Sequence, residues 1–172
     1  MFVFDMDGTL IDSEHIIRES YREAGVEPPD DFMSLGHHSW LDGSANIHGR
    51  KNQAYLRRLR EHPARLLPPF HTAVWLKQAG CEVALLTGAP KGAASVLSVV
   101  TPTWPWKIAQ DGLSPEEKRA WLGMRPGGVY VDDQTYVQMP EGWGFVHYTG
   151  QSAGELFTEV TDVCSTVRRR SI

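Results

Sequence analysis

The sequence lacks several features that would set its class at once. Its 172 residues hold only two cysteines, Cys81 and Cys164, so a disulfide-dense scaffold is excluded and no metal-type Cys/His spacing occurs. No apolar run approaches the ~20 residues of a membrane-crossing helix. The amino terminus has no basic segment followed by an apolar stretch, so a cytoplasmic protein without membrane partners is expected. No internal repeat, low-complexity linker or kinase-type phosphate loop is present. The formal net charge of −4 gives no bulk attraction for polyanions. What remains, with 41% hydrophobic residues, is a chain able to bury the core of one compact domain.

Short apolar runs recur along the chain, each ending in polar or glycine residues. Phe2-Val3-Phe4 meets Asp5-Met6-Asp7-Gly8-Thr9, and Glu82-Val83-Ala84-Leu85-Leu86 meets Thr87-Gly88. Gly128-Val129-Tyr130-Val131 meets Asp132-Asp133, and residues 143–148 meet Thr149-Gly150. A weaker strand is expected through Trp106-Lys107-Ile108-Ala109. Runs that are apolar on both faces suit a parallel sheet covered by helices. Helical patterns alternate with them: one capped by Ser13, one opened by Pro69, one started by Ser114-Pro115-Glu116-Glu117, and one carrying Leu156, Val160, Val163 and Val167 on a single face. The pattern predicts a doubly wound, mostly parallel α/β sheet with helices on both faces. Residues 1–12 and 68–172 form the expected core. Residues 13–67, with no convincing strand, read as a helical insertion capping it.

Asp5 and Asp7 stand two apart at the end of a buried strand, and strand alternation would point both carboxylates to one side. Like charges there need a cation. Asp132 and Asp133 are candidates for the further oxygen ligands, with either able to bind directly, and hard oxygen donors suit Mg²⁺ better than Zn²⁺. The competing reading makes these acids turn residues and helix caps.

These motifs resemble those of the haloacid dehalogenase superfamily. Asp5-Met6-Asp7-Gly8-Thr9-Leu10-Ile11-Asp12-Ser13 is similar to its first, DxDGT-type signature, Leu85-Leu86-Thr87-Gly88 to its second and Val129-Tyr130-Val131-Asp132-Asp133 to its acidic fourth. For the third, a lysine, Lys118 has the usual placement, with Lys107 and Lys91 as alternatives. The insertion falls where the family carries its smaller cap. The resemblance implies a Mg²⁺-dependent phosphomonoesterase in which Asp5 attacks phosphorus and Asp7 acts as general acid and base. The ion would be held by Asp5, the backbone carbonyl of Asp7, and Asp132 or Asp133. Thr87 and Gly88 would bind the phosphoryl oxygens, and Lys118 would balance charge. Asp7, which the dehalogenating members lack, disfavours dehalogenation. A phosphomutase and a non-catalytic phosphate-sensing module are the alternatives.

Substrate selection falls to the insertion. Residues 48–66 carry Arg50, Lys51, Arg57, Arg58, Arg60 and Arg65 against the single acid Glu61. A helical wheel sets Arg50, Lys51, Arg57 and Arg58 opposite Tyr55, Leu56 and Leu59. They form either a solvated face or an anion-steering surface in which Arg57 and Arg58 bind substrate. Trp40 or Tyr55 is a candidate base-stacking residue, in a lid that also holds His37, His38 and Asp42. The short cap and Asp132-Asp133-Gln134-Thr135 resemble the small deoxyribonucleotidases and the polynucleotide end phosphatases. A small anionic phosphate ester, a nucleotide first and a nucleic-acid end second, is therefore the expected substrate.

Overall fold

A computed structural model describes residues 1–35, 45–101, 103, 105, 106, 108–135 and 138–170. The expected strands form one sheet: β1 (Phe2–Phe4), β4 (Val83–Leu86), β5 (Ile108–Gln110), β6 (Gly128–Asp132) and β7 (Trp143–His147). Their order is β5-β4-β1-β6-β7, all parallel, with Phe4 level with Leu85 on one side and Val131 on the other. The chain builds outward from β1 to β4 and β5, then returns to lay β6 and β7 on the opposite flank. The carboxyl ends of β1, β4 and β6 therefore border the switch point, the crevice where open α/β sheets bind ligands.

Alternation along β1 divides the core. Phe2 and Phe4 join Val83, Leu85, Val129 and Val131 in a large cluster, completed by helices α4 (Pro68–Gln78), α5 (Ala93–Val100) and α7 (Ala153–Arg170). Val3, with Ala84, Leu86 and Tyr130, packs on the other face against Trp121 and Leu122 of α6 (Pro115–Gly123). The sheet is covered on both faces, as the apolar runs predict. On the large-cluster side, Leu156 and Val160 of α7 are fully buried. Gly144 of β7 lets α7 approach closely, since a Cβ there would run into Val163. No helix among the described residues is long and apolar enough to cross a membrane.

Between β1 and α4 the chain forms α1 (Glu14–Glu23), α2 (Phe32–Leu35) and α3 (Ala45–Glu61). The segment expected to hold no strand does hold one. The two-residue strand β3 (Arg65–Leu66) pairs antiparallel with β2 (Ile11–Asp12), Ile11 opposite Leu66 and Asp12 opposite Arg65. Two-residue pairs carry no period-two pattern to read; this one is held by ladder bonds and an Arg65–Asp12 ion pair at 3.0 Å. Ser13, expected to cap α1, makes no capping bond, and its Oγ is buried without a partner. Helices α1 and α3 pack through Ile16, Ile17, Tyr21, Tyr55 and Leu59, which join the large cluster.

Candidate active site

The ends of β1, β4 and β6 each deliver one polar side chain. Asp5 follows β1 directly, and its N–H donates to Val131 O at 2.9 Å, so its backbone continues the ladder. Thr87 follows β4 in the same way, donating to Gln110 O at 2.9 Å. Asp132 is the last residue of β6. All three are buried, Asp5 at 6%, Thr87 at 1% and Asp132 at 1% exposure.

Among the described residues, Lys118 is the candidate lysine that reaches the strand ends. Ser114 and Glu117 form a reciprocal capping box at the start of α6, Glu117 N–H donating to Ser114 Oγ and Ser114 N–H to Glu117 Oε2. That fixes the first turn and sends the next side chain, Lys118, under the sheet end. Its Nζ lies 2.6 Å from Asp5 Oδ1, 3.6 Å from Asp132 Oδ2 and 3.2 Å from the Tyr130 hydroxyl. Tyr130 in turn donates to Asp132 Oδ2 at 2.6 Å. Lys91 stands apart, on the wall of a neighbouring cavity, and Lys107 lies outside the described residues, as do His37, His38, Trp40 and Asp42.

Asp133 completes an acidic cluster. One carboxylate oxygen from each of Asp5, Asp132 and Asp133 lies within 4.8 Å of the others. Thr9 anchors Asp133 twice, its hydroxyl donating to Oδ1 at 3.2 Å and accepting the Asp133 N–H at 2.9 Å. Gly8, at φ +76°, is the turn residue under this carboxylate, and a Cβ there would run into it. Burial raises all three acids, with further upward pushes from Asp132 and Asp7 on Asp5, and from Asp5 on Asp133. Asp5 is pushed up to about 7 even though Lys118 pulls it down. One ammonium facing two buried carboxylates and a half-buried one leaves excess negative charge. Three hard oxygen donors in that setting fit a small divalent cation.

Asp7 departs from the expected placement. Strand geometry ends at Phe4, and Met6 O accepts the N–H groups of Leu10 and Ile11 in a tight turn. Asp7 consequently lies outside the acidic cluster, and its Oδ1 accepts a 2.7 Å hydrogen bond from the Tyr55 hydroxyl of α3. Tyr55 is fully buried, so it is no stacking platform; burial and the Asp7 charge hold its phenol well above the ordinary tyrosine range.

The basic face of α3 also differs. Arg57 and Arg58 both bond Glu23 of α1 and are not brought to the strand ends. Lys51 is the buried cation of that helix, 7% exposed, with Nζ 5.2 Å from the Tyr21 ring centre and 5.5 Å from that of Tyr55. The wheel set it opposite Tyr55, yet four residues is one helical turn, which puts both on one face. Burial depresses its pKa and the Asp7 charge raises it. Lys51, Asn52, Gln53 and Leu56 form one wall of a cavity of about 470 Å³ whose other wall is Gly88, Pro90, Lys91 and Gly112. Sequence reasoning passed over Tyr130 as well, although its spacing of two from Asp132 on β6 puts both on one face.

Neither a family model nor a curated protein matches the sequence. Solved structures do match in three dimensions. A haloacid dehalogenase-like hydrolase from Bacteroides fragilis superposes with a TM-score of 0.64 at 18% identity, covering 92% of each chain. The chain has the haloacid dehalogenase fold. A protein from Haemophilus somnus described as a phosphoglycolate phosphatase gives 0.60 at 17% identity, over 88% of this chain and 86% of its own. A CbbY variant from Rhodobacter sphaeroides, in complex with xylulose-1,5-bisphosphate, gives 0.58 at 16% identity, over 78% of this chain and 86% of its own. The likeness is one of fold, a parallel five-stranded sheet covered by helices.

Proposed function

We propose that this chain is a Mg²⁺-dependent phosphomonoesterase that works through an aspartyl-phosphate on Asp5. The observation that carries the reading is the buried Lys118–Asp5 contact of 2.6 Å, set beside Asp132 and Asp133 at the ends of adjacent parallel strands. An isolated buried carboxylate would protonate and lose its nucleophilicity; Lys118 opposes that here, and a bound cation would oppose it further. Asp5, Asp132 and Asp133 are the residues that would hold Mg²⁺, with the Asp7 backbone carbonyl as a further donor. When bound, the ion supplies positive charge that lets an anionic nucleophile approach an anionic ester.

The residues divide the remaining work. Asp5 attacks phosphorus, and the departing oxygen takes a proton from Asp7. Asp7 then removes a proton from the water that hydrolyses the acyl phosphate. Thr87 and the exposed Gly88 N–H bind phosphoryl oxygens. Thr87 is held for this by its hydroxyl accepting the Ala89 N–H at 3.0 Å. Residues 13–67 serve as a cap, contributing Lys51 to the wall of the substrate cavity opposite Lys91.

A small phosphate monoester is the favoured substrate class, in keeping with the xylulose-1,5-bisphosphate bound by the CbbY variant. Of the features that pointed to a nucleotide or nucleic-acid end, Arg57, Arg58 and Tyr55 have partners elsewhere, and Trp40 lies outside the described residues. Release of inorganic phosphate from p-nitrophenyl phosphate tests the reading. Turnover is expected with Mg²⁺, is lost with chelator and is lost in Asp5→Asn. Equal turnover in wild type and Asp5→Asn would overturn the assignment of the nucleophile. A phosphomutase would instead hydrolyse weakly and require a bisphosphate activator.

A further inference from the structure

We propose that Tyr55 is a positioning residue for the acid Asp7, so that proton delivery to the leaving group depends on helix α3 being seated against the core. The inference rests on the phosphomonoesterase reading above. Its basis is the 2.7 Å hydrogen bond from the Tyr55 hydroxyl to Asp7 Oδ1, made across 48 residues between the inserted helix and the turn after β1.

A carboxyl group turns readily about its last bond, and its two oxygens are equivalent until something distinguishes them. Tyr55 distinguishes them. With Oδ1 accepting the phenolic O–H, the acid's proton resides on Oδ2. When the ester P–O bond breaks, its electron pair stays on the leaving oxygen and the Oδ2 proton joins it. Asp7 is left as a carboxylate still bonded to Tyr55 through Oδ1. In the second half the same Oδ2 takes a proton back from water.

The donor is stiff. Tyr55 has two side-chain torsions, its ring is fully buried, and Lys51 one turn earlier packs its ammonium toward the Tyr55 and Tyr21 rings. The hydroxyl belongs to α3, not to the sheet, so α3 must be in place for the bond to exist. The same helix forms one wall of the substrate cavity through Lys51, Asn52, Gln53 and Leu56. One helix thus both forms that wall and orients the acid.

The test is Tyr55→Phe, which removes one oxygen and keeps the ring. The kcat/KM of an alkyl phosphate, which reports only the transfer to Asp5 and whose leaving group needs a proton, should fall about tenfold relative to that of p-nitrophenyl phosphate, whose leaving group does not. In an Asp7→Asn background the same substitution should add nothing to the loss. The melting temperature reports folding separately. A parallel fall in kcat/KM on both substrates, no fall on either, or a full additional loss in the double variant would overturn the proposal. The ¹³C shift of the Asp7 carboxyl should move in Tyr55→Phe whether or not the protein turns over either ester, and an unmoved signal would also overturn it. Asp5→Asn, run in parallel, reports on the phosphomonoesterase reading independently.

Discussion

Lys118 and Asp5 meet 113 residues apart in sequence, Nζ to Oδ1 at 2.6 Å, in a contact that ties helix α6 to the end of the central strand. Both side chains are 8% exposed, so neither can exchange its partner for water. A pair of this kind is costly to break from one side, because the charge left behind stays buried.

Replacing Lys118 by methionine keeps the length of the side chain and removes its charge. Activity should be abolished. In the presence of chelator, the unfolding free energy should fall by roughly 3–5 kcal/mol, the usual cost of orphaning a buried charge. Urea denaturation measures it. A loss below about 1 kcal/mol would mean that Asp5 finds another way to be neutralised.

Asp5 also gives stability a pH dependence in chelator. Its native pKa, pushed up to about 7, exceeds the ordinary value of 3.8. Between those values the native state holds a proton that the unfolded chain releases, so this group's contribution declines as pH rises from about 4 to about 7. Asp5→Asn, which does not titrate, should therefore gain melting temperature relative to wild type across that interval. A difference between the two that stays constant with pH would contradict the native environment described for Asp5. Saturating Mg²⁺ should stabilise wild type at pH 7.5 and have little effect on Asp5→Asn.

Gly8→Ala asks one residue to accept both a left-handed backbone and a collision. The backbone alone costs about 1–2 kcal/mol. Since the new methyl group would meet the Asp133 carboxylate, the larger effect should be on cation binding. Calorimetric titration with Mg²⁺ should show an affinity loss at least as pronounced as the fall in stability. Unchanged affinity would remove Asp133 from the ligand set.

Lys51 and Arg57 make a pair of opposite expectations from one helix. Lys51→Met should raise KM for small phosphate esters several-fold, the more so at low salt. Arg57→Glu should leave KM unaltered, because that guanidinium is engaged with Glu23. Adding Glu23→Arg should restore whatever melting temperature the single charge reversal loses. A KM rise in Arg57→Glu that salt suppresses would return the anion-steering role to the outer arginines.

The sheet was largely legible because its strands are apolar throughout and stop at polar residues; β1, β4, β6 and β7 fall within a residue or so of the expected segments. So was the capping box before Lys118. What escaped has physical reasons. Helix α5 is rich in β-branched residues and starts at a glycine; its first turn is secured by Asp111, whose Oδ2 accepts the N–H groups of Gly92 and Ala94 from beyond the next strand. No local pattern announces a cap supplied from that distance. Asp7 was placed by extrapolating a strand that ends at Phe4. Tyr55 and Lys51 were assigned to roles or faces by a wheel centred on the arginines, when the deciding fact is what the helix touches. The acids themselves were visible; that Asp7 answers to a different helix from Asp5 was not.

The β2–β3 pair carries a wider implication. Because Asp12 and Arg65 already sit side by side, the chain between them is a detour whose two ends are stitched together independently of its contents. Doubling the length of a flexible detour adds only about 0.6 kcal/mol of closure entropy. In closure entropy alone, then, the stitch is nearly indifferent to how much polypeptide passes through it; what ties the present segment to the sheet is the core packing of α1 and α3.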